Sequence, residues 1–278
     1  MPRGVTRRVV ITGASSGIGR ALAVAWGSRG ASVVLAARDA RVLDEVAGDV
    51  RAAGGEAYSE PCDITREEDR ARLVERSRAA MGGIDVLVNN AGKGYYAAIR
   101  DLDLAEVEAL FAVNVFAPLR LTQLALPHLA ADEGPRAGST GPRPVYRPPA
   151  TVVMLSSVAG VVAAPKMGAY AASKFALEAL SLSLRAEAAG SGVKVLVVRP
   201  GPVDTPFRAN AFTRNAEAGV RPPGARAQTA RDIAETTIRA VESGRAVVET
   251  SLFVQAASFA SRVTPPVFRR IAARMAKG

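Results

Sequence analysis

The chain has 278 residues, of which 49% are hydrophobic, enough for one large buried core but short for two independent domains. Its only cysteine, Cys62, excludes an internal disulfide, and we expect a reducing, cytoplasmic setting. The net charge of +10 would suit a nucleic acid, but five basic residues after Glu249 carry half of it, so the excess is local. We therefore predict no specific nucleic-acid partner.

Short apolar segments alternate with longer segments of helical periodicity. The segments predicted to be strands are 7–12, 32–36, 57–61, 84–89, 151–156, 193–199 and 246–249. The predicted helices are 17–29, 40–53, 66–81, 104–130, 168–189 and 230–243. Right-handed crossovers between parallel strands then give an α/β fold: a single Rossmann-type doubly wound domain, with a seven-stranded parallel sheet and helices on both faces.

We assign this domain to residues 1–261. Residues 132–149 are predicted to be an exposed loop, and 206–228 a substrate-side loop that follows the carboxyl end of a strand. Too few residues precede the first apolar run for a secretory signal, and the strongest apolar runs are strand-sized, so we expect neither a leader nor a membrane span. Residues 262–278 form a basic amphipathic tail. It is predicted to pack on the domain or a partner chain, or to contact an anionic membrane weakly.

A glycine-rich turn joins the first strand to the first helix. Its residues are Thr12, Gly13, Ala14, Ser15, Ser16, Gly17, Ile18 and Gly19. Glycines let the backbone approach a pyrophosphate closely, and the free N–H groups at a helix amino end favour negative charge. Taken alone, the turn could also be an ordinary glycine-rich connection, because such motifs are common.

The spacing Thr-Gly-x-x-x-Gly-x-Gly resembles the cofactor turn of short-chain dehydrogenases and reductases. Further elements follow in that family's order: Asp63, Asn89-Asn90-Ala91-Gly92, Asn114, Ser157, Tyr170-x-x-x-Lys174, and Pro200-Gly201-x-Val203-x-Thr205. The resemblance covers roughly residues 7–205. It implies that the cofactor is bound by Gly13, Ser15, Ser16, Gly17, Ile18, Gly19, Arg38, Asp63, Ile64, Asn90, Ala91, Gly92, Tyr170, Lys174, Pro200, Gly201, Val203 and Thr205.

Four residues carry the predicted chemistry. Tyr170 is the expected general acid in carbonyl reduction and base in alcohol oxidation, with Lys174 one helical turn away to lower its pKa. The Ser157 hydroxyl would stabilise charge on the substrate oxygen. The resemblance further implies that Lys174 binds the nicotinamide ribose and that Asn114 holds a water that relays protons. Separately, each residue also has a structural interpretation as a surface, strand-end or backbone-bonding residue.

Cofactor preference depends on the end of the second strand, where an NAD enzyme would place a carboxylate on the ribose. Ala37 and Arg38 stand there, and a guanidinium can bind a 2′-phosphate, so the sequence predicts NADP(H). Asp39 next to them is interpreted as the start of the following helix. No metal site is predicted, and His128 and Cys62 are interpreted as structural.

The sequence thus predicts an NADPH-dependent ketone reductase, or the corresponding alcohol dehydrogenase, acting on a small-molecule ketone or alcohol. The alternative is a non-catalytic NADP(H)-binding sensor or scaffold, because a nucleotide fold can survive loss of its chemistry. An apolar pocket is expected from Tyr95, Tyr96, Val158, Met167, Phe207 and Phe212. The resemblance implies a homodimer or homotetramer through the helices at 104–130 and 168–189.

Overall fold

Seven parallel strands form the central sheet of the computed structural model, which describes residues 6–129, 148–215 and 227–263. The strands are β1 Arg8–Thr12, β2 Ser32–Ala37, β3 Glu56–Pro61, β4 Val86–Asn89, β5 Ala150–Leu155, β6 Val193–Arg199 and β7 Val247–Glu249. Their order across the sheet is β7-β6-β5-β4-β1-β2-β3. The predicted doubly wound α/β fold is confirmed. The tail beyond 263, most of the loop at 132–149 and residues 216–226 lie outside the described residues.

The helices connect the strands in the predicted alternation. They are α1 Gly17–Gly27, α2 Ala40–Ala52, α3 Glu67–Met81, α4 Leu104–Phe111, α5 Ala117–Ala125, α6 Gly168–Glu187, α7 Ala230–Glu242 and α8 Leu252–Val263. Successive strand residues point to opposite sides of the sheet, so the sheet has two apolar faces and helices cover both of them. Val9 and Ile11 pack with the α1, α2 and α7 side, whereas Val10 packs with the α3, α5 and α6 side.

The helix predicted at 104–130 is present over Leu104–His128, but it is not a regular α-helix throughout. A π-helical turn, Ala112–Phe116, separates α4 from α5, and a short 3₁₀ turn, Leu126–His128, ends the stretch. Pro118 gives a physical reason for the interruption, because proline has no N–H to donate to the carbonyl of Asn114 four residues earlier. The N–H of Ala117 instead reaches back five residues, to the carbonyl of Ala112.

The sequence leads us to expect no membrane span, yet one helical stretch is long and apolar enough to cross a membrane. Within the described ranges, the helical stretch Leu104–His128 is 25 residues long, and its most apolar 18-residue window has a mean hydropathy of 1.5, so it passes on length and composition. About 44% of its most apolar window is buried against the rest of the fold. A core helix of a globular protein passes the same test, so the stretch by itself assigns no membrane location.

Two small strand pairs stand above the carboxyl edge of the sheet. Tyr95–Tyr96 pairs in parallel with Phe212–Thr213, and Val203–Asp204 pairs with Gln228–Thr229. The sequence did not predict these two-residue strands, which are too short for a hydrophobic period. The first pair joins the segment after β4 to the predicted substrate-side loop, and the second joins the segment after β6 to the residues before α7.

Candidate active site

The predicted site residues converge on one edge of the molecule. Those of the glycine turn follow β1, Arg38 follows β2, Asp63 and Ile64 follow β3, Asn90 to Gly92 follow β4, Ser157 follows β5, and Pro200 to Thr205 follow β6. Because parallel strands end at the same edge, these segments surround one crevice. Arg38 and Asp63 lie on the β2–β3 side, separated from the Ser157 side by β1 and β4.

The glycine turn is fastened to the segment after β4. The side-chain amide of Asn90 donates to the carbonyls of Thr12, at 2.8 Å, and Gly13, at 3.2 Å. The Thr12 hydroxyl oxygen accepts the N–H groups of Asn90 and Ala91 in return. Gly13 has a φ of +64°, and a Cβ there would lie 2.9 Å from the Ala91 Cα, so a larger residue would force the two segments apart.

The amino end of α1 is open toward this crevice. Ser16 occupies the N-cap position without making a side-chain capping hydrogen bond, and no acidic residue lies in the first turn. A Cβ on Gly17 would lie 3.2 Å from the Thr205 methyl carbon, which places the Pro200–Thr205 turn beside it. A narrow glycine cradle and an uncapped helix amino end suit the phosphates of a dinucleotide.

Arg38 is exposed immediately after β2. Its neighbour Asp39 caps α2 by accepting the N–H of Val42 at 3.2 Å, as the sequence interpretation held. The Asp63 carboxylate accepts two hydrogen bonds from Thr65, at 2.9 and 2.7 Å. Although burial alone would raise the Asp63 pKa, those bonds and the charge of Arg38 hold it below its usual value.

Tyr170 and Lys174 lie one turn apart on α6 and are both buried, with exposures of 6% and 4%. The Lys174 ammonium donates to the carbonyl of Leu155, at the end of β5, over 2.8 Å. It lies 5.9 Å from the centre of the Tyr170 ring. A Cβ on Gly92 would lie 3.6 Å from the same ammonium, so the lysine also reaches the crevice floor.

Ser157 lies beside Tyr170 and is the third residue of the predicted catalytic group. Its hydroxyl oxygen accepts the N–H of Ala159 at 3.1 Å, which fixes the side chain, and it hydrogen-bonds the Tyr170 hydroxyl. Burial raises the pKa of Tyr170 well above its ordinary value of 10, and the bond to Ser157 opposes that rise. Lys174 is not among the groups that shift the Tyr170 pKa in this structure, so the lowering expected from Lys174 stays a prediction. Burial also depresses the pKa of Lys174 itself, to about 8, against an opposing effect of Glu178.

Asn114 lies inside the π-helical turn and is 1% exposed. Its side-chain oxygen accepts the N–H of Lys93 at 2.8 Å, and its amide donates to the Lys93 carbonyl at 2.9 Å. The same amide donates to the Ser173 hydroxyl oxygen at 3.0 Å. Asn114 therefore joins the segment after β4 to α6, next to Lys174. The sequence analysis missed Lys93 and Ser173, although Lys93 directly follows the Asn-Asn-Ala-Gly element.

A cluster of aromatic side chains lies beside Tyr170. The Phe207 ring lies 5.9 Å from the Tyr170 ring, and the Tyr95 and Phe212 rings meet edge to face at 5.6 Å. Met167 packs against the same cluster, and Tyr96 is close enough to affect the Tyr170 pKa. These contacts place five of the six expected pocket residues together; Val158 is part of the turn after Ser157.

Cys62 does not take part in this site. It is buried, and burial raises the pKa of its thiol to about 12, which leaves it un-ionised at neutral pH. His128 ends the 3₁₀ turn at the far end of α5. Among the described residues, no three His, Cys, Asp or Glu side chains are grouped so that they could hold a metal ion.

A dinucleotide crevice beside a serine, tyrosine and lysine defines an oxidoreductase. A model of the short chain dehydrogenase family matches residues 7–216, and the chain belongs to that family. The chain is 36% identical over 214 residues to dehydrogenase/reductase SDR family member 7B of Danio rerio. That match covers 74% of this chain and 63% of the relative, so the chain spans less than two thirds of that relative's length.

Two solved structures share the fold over most of the chain. A short-chain dehydrogenase/reductase from Burkholderia phymatum, in complex with NAD, has a TM-score of 0.80 at 26% identity and covers 96% of each chain. A metagenomic short-chain oxidoreductase in complex with NADP has a TM-score of 0.69 at 33% identity, covering 89% of this chain and 98% of the other. Related proteins therefore bind either dinucleotide.

Proposed function

We propose that this oxidoreductase is an NADPH-dependent ketone reductase, which transfers a hydride between NADP(H) and the carbon of a carbonyl or secondary alcohol. The observation that carries the proposal is that Ser157 lies beside the buried pair Tyr170 and Lys174, next to the crevice floor. Such a group binds a carbonyl oxygen and supplies its proton.

The dinucleotide, when bound, supplies or accepts the hydride. In reduction, the hydroxyls of Ser157 and Tyr170 bind the substrate oxygen, and Tyr170 donates its proton to that oxygen as negative charge develops there. Because burial raises the Tyr170 pKa, the phenol is protonated at neutral pH and holds the proton that reduction requires. Lys174, with a pKa of about 8, is still largely charged and stabilises the phenolate that remains.

The preference for NADP(H) rests on Arg38. It is exposed at the end of β2, and the nearest carboxylate along the chain, Asp39, is occupied in capping α2. A guanidinium at this position would bind a 2′-phosphate by charge-assisted hydrogen bonds. Since related structures contain NAD in one case and NADP in another, this local feature supports the choice.

A homodimer or homotetramer is also proposed, formed through α5 and α6. Phe116, Phe175 and Leu182 expose 59%, 44% and 64% of their surface on or next to these helices. Exposed large apolar side chains on these helices favour association. Sedimentation velocity of the full chain should show a species of two or four copies, and a monomer at micromolar concentration would contradict the proposal.

The cytoplasmic setting and weak membrane contact by the tail stay proposals.

The proposed reaction is tested by following NADPH absorbance with a panel of apolar ketones, and then NADH with the best substrate. We expect turnover with at least one ketone, higher catalytic efficiency with NADPH, and turnover about 10³-fold slower in a Tyr170→Phe variant. Comparable efficiency with both cofactors would refute the NADP preference. Tight NADPH binding without turnover of any ketone or alcohol would support the non-catalytic sensor instead.

A further inference from the structure

Lys93 is a partly buried cation beside the crevice that the catalytic proposal leaves without a role. Its backbone is held at both the N–H and the carbonyl by Asn114, so the residue has a fixed position directly after Gly92. Its ammonium lies 3.5 Å from the centre of the Phe212 ring, above the ring face. This cation–π contact holds the side chain but does not neutralise its charge.

The acidic side chains near Lys93 are bound to other groups. Glu106, the acid whose charge acts on Lys93, has both carboxylate oxygens bonded to Arg214, at 2.8 and 3.1 Å, and also bonds the Tyr95 hydroxyl. Among the described residues, no carboxylate lies within 4 Å of the Lys93 ammonium. A second cation, Arg38, is instead close enough to add to the effect of burial in lowering the Lys93 pKa.

Sheet order explains why two cations approach one another here. Arg38 follows β2 and Lys93 follows the end of β4 by four residues, while the glycine turn follows β1, which lies between those two strands. Neighbouring strands are about 4.8 Å apart, so the ends of β2 and β4 lie roughly 10 Å apart, on either side of the glycine turn. A phosphate on the turn would lie between them and relieve their repulsion.

We propose that Lys93 is a phosphate-binding residue of the dinucleotide site, opposite Arg38 across the glycine turn. The proposal rests on the proposed dinucleotide function. The phosphate is either the pyrophosphate, which NADPH and NADH share, or the 2′-phosphate, which only NADPH carries. Because Phe212 belongs to the substrate-side loop, the same lysine would connect bound phosphate to the wall of the substrate pocket.

The test measures binding of NADPH and of NADH by isothermal titration calorimetry at one fixed salt concentration. The variant is Lys93→Met, which keeps an unbranched side chain over the Phe212 ring while removing the charge. Lys93→Arg restores a cation at the same position. Lys194→Met is the matched control, since it removes the same charge from the opposite, amino-terminal end of a strand.

We expect Lys93→Met to weaken NADPH binding about tenfold, Lys93→Arg to bind nearly as wild type, and Lys194→Met to change nothing. An equal loss for NADH assigns Lys93 to the pyrophosphate, whereas an unchanged NADH affinity assigns it to the 2′-phosphate. Unchanged NADPH binding by Lys93→Met, or an equal loss in Lys194→Met, would overturn the proposal. A wild-type chain that binds neither dinucleotide would instead refute the proposed function itself.

Discussion

The proposed catalytic pocket and the proposed dinucleotide crevice adjoin each other, but they differ in whether protein atoms satisfy their polar and charged groups. In the pocket, Lys174 donates to Leu155, and Asn114 bonds both Lys93 and Ser173, so protein atoms satisfy these groups. In the crevice, Ser16 leaves α1 uncapped, and two cations, Arg38 and Lys93, are close enough for their charges to interact. The pocket is thus organised for chemistry in advance, whereas an anionic ligand would complete the crevice.

The largest expected effect separates the two regions by function. Tyr170→Phe removes only the hydroxyl that donates the proton, so kcat for ketone reduction should fall about 10³-fold. The dissociation constant for NADPH should change less than about fivefold, because the crevice keeps its glycine turn and cations. Steady-state kinetics and calorimetry on the same preparation measure both quantities. A retained kcat would remove Tyr170 from the reaction.

Arg38→Asp is the converse change, confined to the crevice. It replaces a cation with a carboxylate that would repel a 2′-phosphate, and we expect NADPH affinity to fall about hundredfold. NADH binding is the internal control and should be maintained or improved, since a carboxylate suits a ribose hydroxyl. With saturating cofactor, kcat should stay within about threefold of wild type. An unaltered NADPH affinity would exclude Arg38 from the site.

Asn114→Ala tests the one residue that joins the two regions. Loss of its bonds to Lys93 and Ser173 should lower kcat and NADPH affinity together, each about tenfold. Ser173→Ala is the matched control, because it removes the bond toward α6 while leaving both bonds to Lys93. We expect Ser173→Ala to spare NADPH affinity. If both variants changed only kcat, Asn114 would belong to the pocket alone.

The smallest effect concerns pH. Glu178 opposes the burial that lowers the Lys174 pKa to about 8, so Glu178→Gln should lower that pKa further. Lysine is charged below its pKa, and the alkaline decline in reductase rate should therefore move to lower pH, by about one unit or less. Rates at pH 6 should stay close to wild type. A rate profile measured from pH 6 to 10 shows the shift.

Glu249→Gln is the control for this pH experiment. Glu178 and Glu249 both bind Arg199, at 2.8 and 3.0 Å, but only Glu178 acts on Lys174. A change that came from disturbing Arg199 would appear in both variants. A shift in the Glu178→Gln variant alone would assign the effect to the charge that Glu178 places near Lys174. It would support the difference between the pocket and the crevice, since only the pocket contains a proposed catalytic group with a strongly buried charge.

The two regions also differ in how well the sequence predicted them. The crevice follows from local rules, because Gly13 needs a positive φ and the turn must open a helix. The helix break at Asn114 was not predicted. Apolar periodicity continues through Asn114, and nothing in the local sequence links Pro118, four residues later, to a π-helical turn.

By itself, the sequence determined a doubly wound parallel sheet of seven strands, the glycine turn on α1, and the placing of Tyr170 and Lys174 on one helical face. These features depend on residue types at short spacing, which the chain displays directly. The tertiary structure decided the raised Tyr170 pKa and the contact of Lys93 with Phe212. Burial and pairing across more than a hundred residues arise only when distant segments pack together, so no local pattern encodes them.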